Sequence, residues 1–360
     1  MRAGGSIRDK AMGVPRDARI YVAGHRGLVG SAIMRALQQA GFSNILTRTS
    51  SQLDLRDRQK VFEFFQAERP EYVYLAAAKV GGIWANMTYP VDFIQDNLAI
   101  ELNVISAAYA TGVEKLLFLG SSCIYPRHAP QPIKEEYLLS GPLEPTNRPY
   151  ALAKICGIEL IDAYRRQYGA RFISVMPTNL YGPWDNFDLD RSHVLPAMLR
   201  KFHLARLAAS GDWDGIRQDQ ARFGPIPDQI RLALRIPSGQ AGPPDGEPTV
   251  VLWGTGQPRR EFLHVDDLAQ ACLFLMDHYD DSMPINVGTG QDISIQELAG
   301  LIKEIVGFSG PVIFDSTKPD GMPRKLLDVT RITALGWRPS IALRDGIELT
   351  YRWYLSQTRD

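Results

Sequence analysis

The chain has 360 residues, 45% hydrophobic and 22% charged, with 40 Lys and Arg balancing 40 Asp and Glu for a formal net charge of zero. With no block of like charge, nucleic acid and anionic membranes are excluded as principal partners, and no apolar run is long enough to span a bilayer. The three cysteines, Cys123, Cys156 and Cys272, are odd in number and lack metal-ligand spacing, so they read as reduced thiols of a cytoplasmic protein with no metal centre, large enough for one sizeable core and a smaller lobe.

Residues 1–18 hold Gly, Arg and Asp but no apolar segment, which predicts a disordered tail and not a signal peptide. A strand at 19–23 then runs into Gly24-His25-Arg26-Gly27-Leu28-Val29-Gly30, and a helix over 28–40 is marked by Ile33, Met34 and Leu37. Strand, glycine turn and helix in that order make a dinucleotide-binding turn, here spaced Gly-x-x-Gly-x-x-Gly. The first glycine permits the tight turn, the next lets backbone amides reach a pyrophosphate, and the last lets the helix pack on the strand. After a second strand at 44–48, no acid stands where one would hold a ribose 2′-hydroxyl. Arg48 stands there instead, Arg26 lies in the turn, and Ser50 and Ser51 follow as hydrogen-bond donors. Two cations favour a 2′-phosphate, hence NADP(H) over NAD(H). Two alternatives stay open: Arg48 as a solvated charge, and Asp54 as the missing acid if the strand lies elsewhere.

Strands at 72–77, 115–120 and 172–177 alternate with helices near 56–68, 90–111 and 149–169, the rhythm of a parallel, doubly wound α/β sheet. Ser121 follows the apolar run Lys115-Leu116-Leu117-Phe118-Leu119-Gly120, at the strand end that faces a ligand crevice. Tyr150 and Lys154 stand four apart on one helix face, where an ammonium can stabilise a phenolate and lower the phenol pKa from ~10. An ordinary surface helix shows the same pair; the glycine turn upstream is what favours a Ser/Tyr/Lys proton-transfer set. Cys123 adds a thiol that a plain reductase does not need. Beyond Pro177-Thr178-Asn179-Leu180-Tyr181-Gly182-Pro183 the rhythm breaks into pieces suited to a lobe that closes over substrate. A helix led by 260–267 and ending at Met276, then a strand at 285–288, restores it.

Several segments together resemble the GDP-L-fucose synthase family of extended short-chain dehydrogenase/reductases, over nearly all of Arg19 to Tyr354. They are Gly24-His25-Arg26-Gly27, Ala76 to Ile83, Gly120 to Pro126, Leu143-Glu144-Pro145-Thr146-Asn147, Met176 to Pro183, Ser192-His193, Arg260 to Asp267 and Lys318-Pro319-Asp320-Gly321. The resemblance implies a Rossmann domain at 19–180, completed by about 260–290. It also implies a smaller, discontinuous α/β substrate-binding lobe at 181–259 and 291–356. It implies NADPH-dependent 3,5-epimerisation and 4-reduction of GDP-4-keto-6-deoxy-D-mannose, and a homodimer formed by helices near 97–112 and 150–169. Two alternatives stay open: an epimerase or 4-reductase for another GDP-keto sugar such as a keto-heptose, and a non-catalytic NADP-binding protein, which the presence of Ser121, Tyr150 and Lys154 disfavours.

Inverting C3 and C5 of a 4-keto sugar needs two acid/base groups flanking the ring, and the resemblance assigns them to Cys123 and His193. It assigns Ser121, Tyr150 and Lys154 to the reduction. It assigns Leu119, Gly120, Ser121, Ser122, Lys154, Pro177, Thr178, Asn179, Leu180 and His193 to the cofactor, beside the glycine turn. Lys201 and Arg260 are expected at the substrate diphosphate, Trp253 against guanine or ribose if it is not core, and Asp320 as an acceptor for guanine or ribose. Where Lys201 stands the family usually has arginine, and it joins this position to the tryptophan by a much shorter link. The excess, about 208–248, includes Trp213 and a possible helix at 228–236. It is open to four readings: a lid, a determinant of which sugar fits, a subunit contact, or a surface excursion.

Overall fold

Short β-branched and aromatic runs bounded by turns build the first half of the chain into a parallel sheet. In the computed structural model, which describes residues 13–237, 245–318 and 320–357, its elements run β1 Ile20–Ala23, α1 Leu28–Gln39, β2 Ile45–Leu46, α2 Arg58–Glu68, β3 Tyr72–Leu75, α3 Ile83–Thr88, α4 Pro90–Ala110, β4 Lys115–Leu119, α5 Arg148–Tyr168 and β5 Phe172–Pro177. The second half adds β6 Asn179–Tyr181, α6 Val194–Ala209, α7 Trp213–Phe223, α8 Asp228–Ala233, β7 Val250–Trp253, β8 Arg259–His264, α9 Val265–His278, β9 Ile285–Val287, β10 Asp292–Ser294, α10 Ile295–Val306, β11 Val312–Asp315, β12 Arg324–Lys325, α11 Thr330–Ala334 and α12 Leu343–Ser356.

The main sheet has the order β2-β1-β3-β4-β5-β9 with every pairing parallel. Period-2 alternation sends Ile20, Val22, Leu117 and Val175 to one face, under α1 and α9. Tyr21, Ala23, Leu116 and Phe118 go to the other, under α2, α4 and α5. Sheet order reverses at β1, which has β2 on one side and β3 on the other, so the ligand crevice opens at the carboxyl ends of β1, β3 and β4.

Strand β8, expected to begin the completion of the Rossmann domain, instead joins a second sheet with β6, β10 and β12. Strand β9 pairs within the first sheet, and α9 packs on its core with Leu263 of β8 and with Ile332 and Trp337 from the expected lobe. Residues 13–18 are not a disordered tail. Val14 packs on the first core and donates its N–H to Asp277 Oδ1 at 2.7 Å, Ala18 is buried, and Arg16 lies 4.5 Å over the Phe42 ring. Residues 1–12 of that tail lie outside the described residues.

The long link between Lys201 and Trp253 is built into the lobe, apart from 238–244, which lie outside the described residues. Arg200 is fully buried: its Nε donates to Asp219 Oδ1 at 2.8 Å, and its Nη groups donate to the carbonyls of Phe187, Phe223 and Gly224. The Tyr354 hydroxyl donates to the same carboxylate, Phe223 stacks on Tyr354 at 4.5 Å, and Ile216, Ile226, Leu234 and Ile236 enter the lobe's core. An excursion held only at its ends would have none of these contacts. Removing one partner of a buried ion pair strands the other's charge, so Asp219→Ala is expected to lower the unfolding free energy by about 3–5 kcal/mol. Urea denaturation measures it.

Candidate active site

The chain leaves β1 through Gly24, whose φ of 84° lies in the left-handed region and whose Cβ, if it had one, would lie 2.8 Å from the Ala77 backbone. A Cβ at Gly30 would come within 2.1 Å of the Gly24 carbonyl oxygen, so α1 approaches the turn only because that atom is missing. Gly27, the residue before α1, has no side chain to cap it, and among the described residues His25 Nδ1 is buried without a hydrogen-bond partner. The first-turn N–H groups are thus free to meet an anion, and the turn fits the pyrophosphate of a dinucleotide. Arg26 is exposed at this turn, and Ser50 and Ser51 are exposed beyond β2. Arg48 lies 5.1 Å over the Phe64 ring and is ion-paired with Glu68. Asp54, the alternative acid, is taken by Arg56 at 2.8 Å, whose hydrogen bonds and charge hold its carboxyl at about 2.

Leu119, Gly120, Ser121 and Ser122 follow from the end of β4, and Pro177, Thr178, Asn179 and Leu180 from the end of β5, so these two sets share the crevice edge with the glycine turn. Ser121 begins a single helical turn, and its Oγ accepts the Cys123 N–H at 3.2 Å. Burial of the Cys123 thiol favours the neutral form. The Lys325 ammonium, with Nζ 3.5 Å from Sγ, outweighs it together with Ser121 and Arg260, and the thiol pKa falls below its ordinary value.

Tyr150 and Lys154 occupy one face of α5, but their electrostatics differ from expectation. The Lys154 ammonium is buried, 3.2 Å from Glu101 Oε1 and 4.5 Å from the Phe118 ring centroid. Burial, the neighbouring Cys123 and Glu101 raise the Tyr150 pKa, and a hydrogen bond from Ser121 opposes them only in part. The phenol is therefore neutral at pH 7, a proton donor and not a phenolate base.

His193 caps α6 without spending its side chain on a cap hydrogen bond. The residue is exposed, yet surrounding protein and the charge of Lys325 lower its pKa. Lys325 thus acts electrostatically on both expected epimerisation groups. Arg260 lies beside Lys325 in the parallel β8–β12 register. Lys201 is partly buried and donates to the Val251 carbonyl at 3.2 Å. Trp253 is not core: it is 61% exposed, with Lys318 Nζ 5.6 Å over its ring. Asp320 accepts from Thr255 N–H at 2.6 Å and from Thr255 Oγ1 at 2.8 Å, so it ties down the loop following Trp253. A hollow of about 390 Å³ bounded by Arg165, Arg171 and Asp280 shares none of its lining with these groups.

Residues 20–288 match the family model described as the NAD dependent epimerase/dehydratase family. The chain belongs to that family. Its relatives include GDP-L-fucose synthase 1 of Arabidopsis thaliana, 53% identical with 94% of each chain covered. GDP-L-fucose synthase of Escherichia coli (strain K12) is 50% identical, covering 94% of this chain and 96% of that one. Among solved structures, a GDP-D-glycero-L-gluco-heptose synthase from Campylobacter jejuni in the presence of NADPH superposes with a TM-score of 0.81. It is 40% identical and covers 95% of this chain and 99% of that one.

Two residues of this epimerase/dehydratase site escaped the sequence reading. Lys325 is 202 positions from Cys123, and no local pattern joins them. Glu101 did leave a signal: with Phe93 and Asn97 it recurs every four residues on α4, all three buried, so a carboxylate had to enter the interior. Of the other two cysteines, Cys156 is exposed, whereas Cys272 is fully buried and its thiol pKa is pushed up by that burial.

Proposed function

We propose that the chain converts GDP-4-keto-6-deoxy-D-mannose to GDP-L-fucose, by epimerisation at C3 and C5 and NADPH-dependent reduction at C4. The observation that carries this is a thiol activated by Lys325 beside the Ser121, Tyr150 and Lys154 of a reductase. Identities of 53% and 50% with GDP-L-fucose synthases support it. Bound NADPH supplies the hydride to C4. Cys123 as thiolate removes the proton alpha to the ketone, and His193, a stronger acid for its lowered pKa, returns one on the opposite face. Tyr150 and Ser121 hydrogen-bond the ketone oxygen, stabilise the enolate and, in the last step, Tyr150 donates its proton to that oxygen. Incubating the protein with the 4-keto sugar and NADPH in deuterated water tests the whole. Label at both C3 and C5 with NADPH oxidation is expected. Oxidation without label, and turnover of a GDP-keto-heptose in preference, would instead favour the chemistry of the heptose synthase relative.

On the substrate side, Lys201 and Arg260 meet the diphosphate and the exposed Trp253 ring stacks on guanine or ribose. Asp320 fixes the loop that presents that ring and offers its remaining lone pairs to the nucleoside. Burial lowers the Lys201 pKa to about 8, so the charge is present below that pH and lost as pH rises through it. The KM for the GDP-sugar is expected to climb above pH 8. Lys201→Arg should abolish the climb, because a guanidinium stays protonated. Initial rates across pH 6.5–9.5, a range set by that value, decide it.

The dimer reading draws support from Leu98, Leu102 and Tyr109 on α4 and Leu152 and Tyr168 on α5, large apolar side chains left exposed on adjacent helices. Leu102→Glu is expected to shift light scattering from dimer to monomer mass. Free Cys123, Cys156 and Cys272 accord with a reducing, cytoplasmic setting, and no helix among the described residues is long and apolar enough to cross a membrane.

A further inference from the structure

Helix α4 sends a polar face into the interior that none of the catalytic roles above engages. Phe93, Asn97 and Glu101 recur at four-residue spacing and are all buried. Each holds a different part of the site. The Phe93 ring meets Tyr150 edge-on at 6.4 Å. Asn97 accepts the Lys79 N–H at 2.8 Å and donates to the Lys79 carbonyl at 3.0 Å, fixing the loop beyond β3. Glu101 faces Lys154, and both side chains are 3% exposed or less. Among the described residues no further donor reaches either Glu101 oxygen. Glycine at position 157 makes the approach possible, since a Cβ there would lie 2.7 Å from Glu101 Oε2 and 2.6 Å from the Phe118 ring.

Resting on the reductase reading of Tyr150 and Lys154, we propose that Glu101 is a positioning residue for the reduction: its carboxylate draws the Lys154 ammonium into the wall between α4 and α5 and keeps that side chain charged. Burial pushes the Glu101 carboxyl up to about 7 against the pull of Lys154, and the charge of Glu101 also reaches Tyr150 on α5, on which Cys123 beyond β4 acts as well. Burial alone drives the lysine toward its neutral form, and Glu101 is what opposes it. An ammonium buried beside the Phe118 ring, stripped of its counter-ion, sheds its proton at lower pH.

The test follows NADPH oxidation on the keto sugar against pH for the wild type, Glu101→Gln and Glu101→Asp, with Lys154→Met alone and combined with Glu101→Gln. Glu101→Gln is expected to move the alkaline limb of kcat down by about one pH unit or more. Glu101→Asp, which keeps the charge, should move it less even if the protein is less stable. In the Lys154→Met background, Glu101→Gln should change kcat less than about twofold, because a residue acting through Lys154 has nothing left to act on. An alkaline limb unmoved by Glu101→Gln, or an equal loss in both backgrounds, overturns the proposal. Thermal unfolding of the wild type, Glu101→Gln, Lys154→Met and the double variant measures the pairing without reference to any substrate. Coupling there with no activity on the keto sugar would fail the functional reading and spare the ion pair; additive stabilities would fail the ion pair itself. Should Glu101→Gln alone not fold, the double variant, which removes both buried charges, and Glu101→Asp still decide the question.

Discussion

Cys123→Ser is expected to cut solvent deuterium incorporation at C3 and C5 by a factor of about 10²–10⁴, while NADPH still binds. A thiol of ordinary pKa ~8.5 needs only modest help to ionise near neutrality, and a serine hydroxyl in the same place stays protonated whatever the field around it. That help comes from Lys325, whose ammonium lies 3.5 Å from the sulfur and overcomes the burial that would otherwise keep the thiol neutral. A second variant therefore follows from the first. Lys325→Met leaves the thiol in place but lets burial prevail, so the pH at which exchange sets in should rise, because the thiol pKa moves upward when the cation is gone. NMR of the sugar in deuterated water at several pH values reads both variants. Undiminished exchange in Cys123→Ser would remove the thiol from the epimerisation and leave its proximity to Lys325 without a role.

The first half of the fold was legible because its signals are local. A strand, three glycines and an amphipathic helix follow one another between Ile20 and Gln39, and Gly24 and Gly30 stand where a Cβ has no room. Ser121, Tyr150 and Lys154 were legible for the same reason, as a strand end and a helical spacing of four. What the sequence did not disclose depends on which groups meet in space. Strand β12, which carries Lys325, pairs with β8 far upstream, and only that pairing brings an ammonium to Cys123. The direction of the Tyr150 shift was misjudged because helical spacing places Lys154 four residues away but says nothing of burial, which raises the phenol most, nor of Cys123 and Glu101, which raise it further. The long link before Trp253 was open to being a mere surface excursion, because a long surface insertion costs little closure entropy. Its attachment rests on Arg200 and Asp219, two charges that belong to the interior only because they find each other and Tyr354 there.

Tyr150→Phe is expected to depress NADPH oxidation and deuterium exchange together, each by about 10²–10⁴, in contrast to Cys123→Ser, whose primary loss is in exchange. The difference lies in where each group acts. Cys123 addresses the carbon acids flanking the ketone, whereas Tyr150 addresses the ketone oxygen, which carries developing charge both when the enolate forms and when hydride arrives at C4. Its phenol is suited to that position because burial, Cys123 and Glu101 keep it protonated, so a proton is available to the oxygen at every pH at which Lys154 is charged. Packing does not confound the test: Phe93 supports the ring edge-on at 6.4 Å, and phenylalanine keeps that ring while deleting only the hydroxyl. Single-turnover absorbance at the reduced nicotinamide band and NMR of the recovered sugar supply the two rates. If exchange persisted while oxidation collapsed, the oxygen would have to be held during epimerisation by Ser121 alone, and the shared-carbonyl mechanism would divide into two independently activated steps.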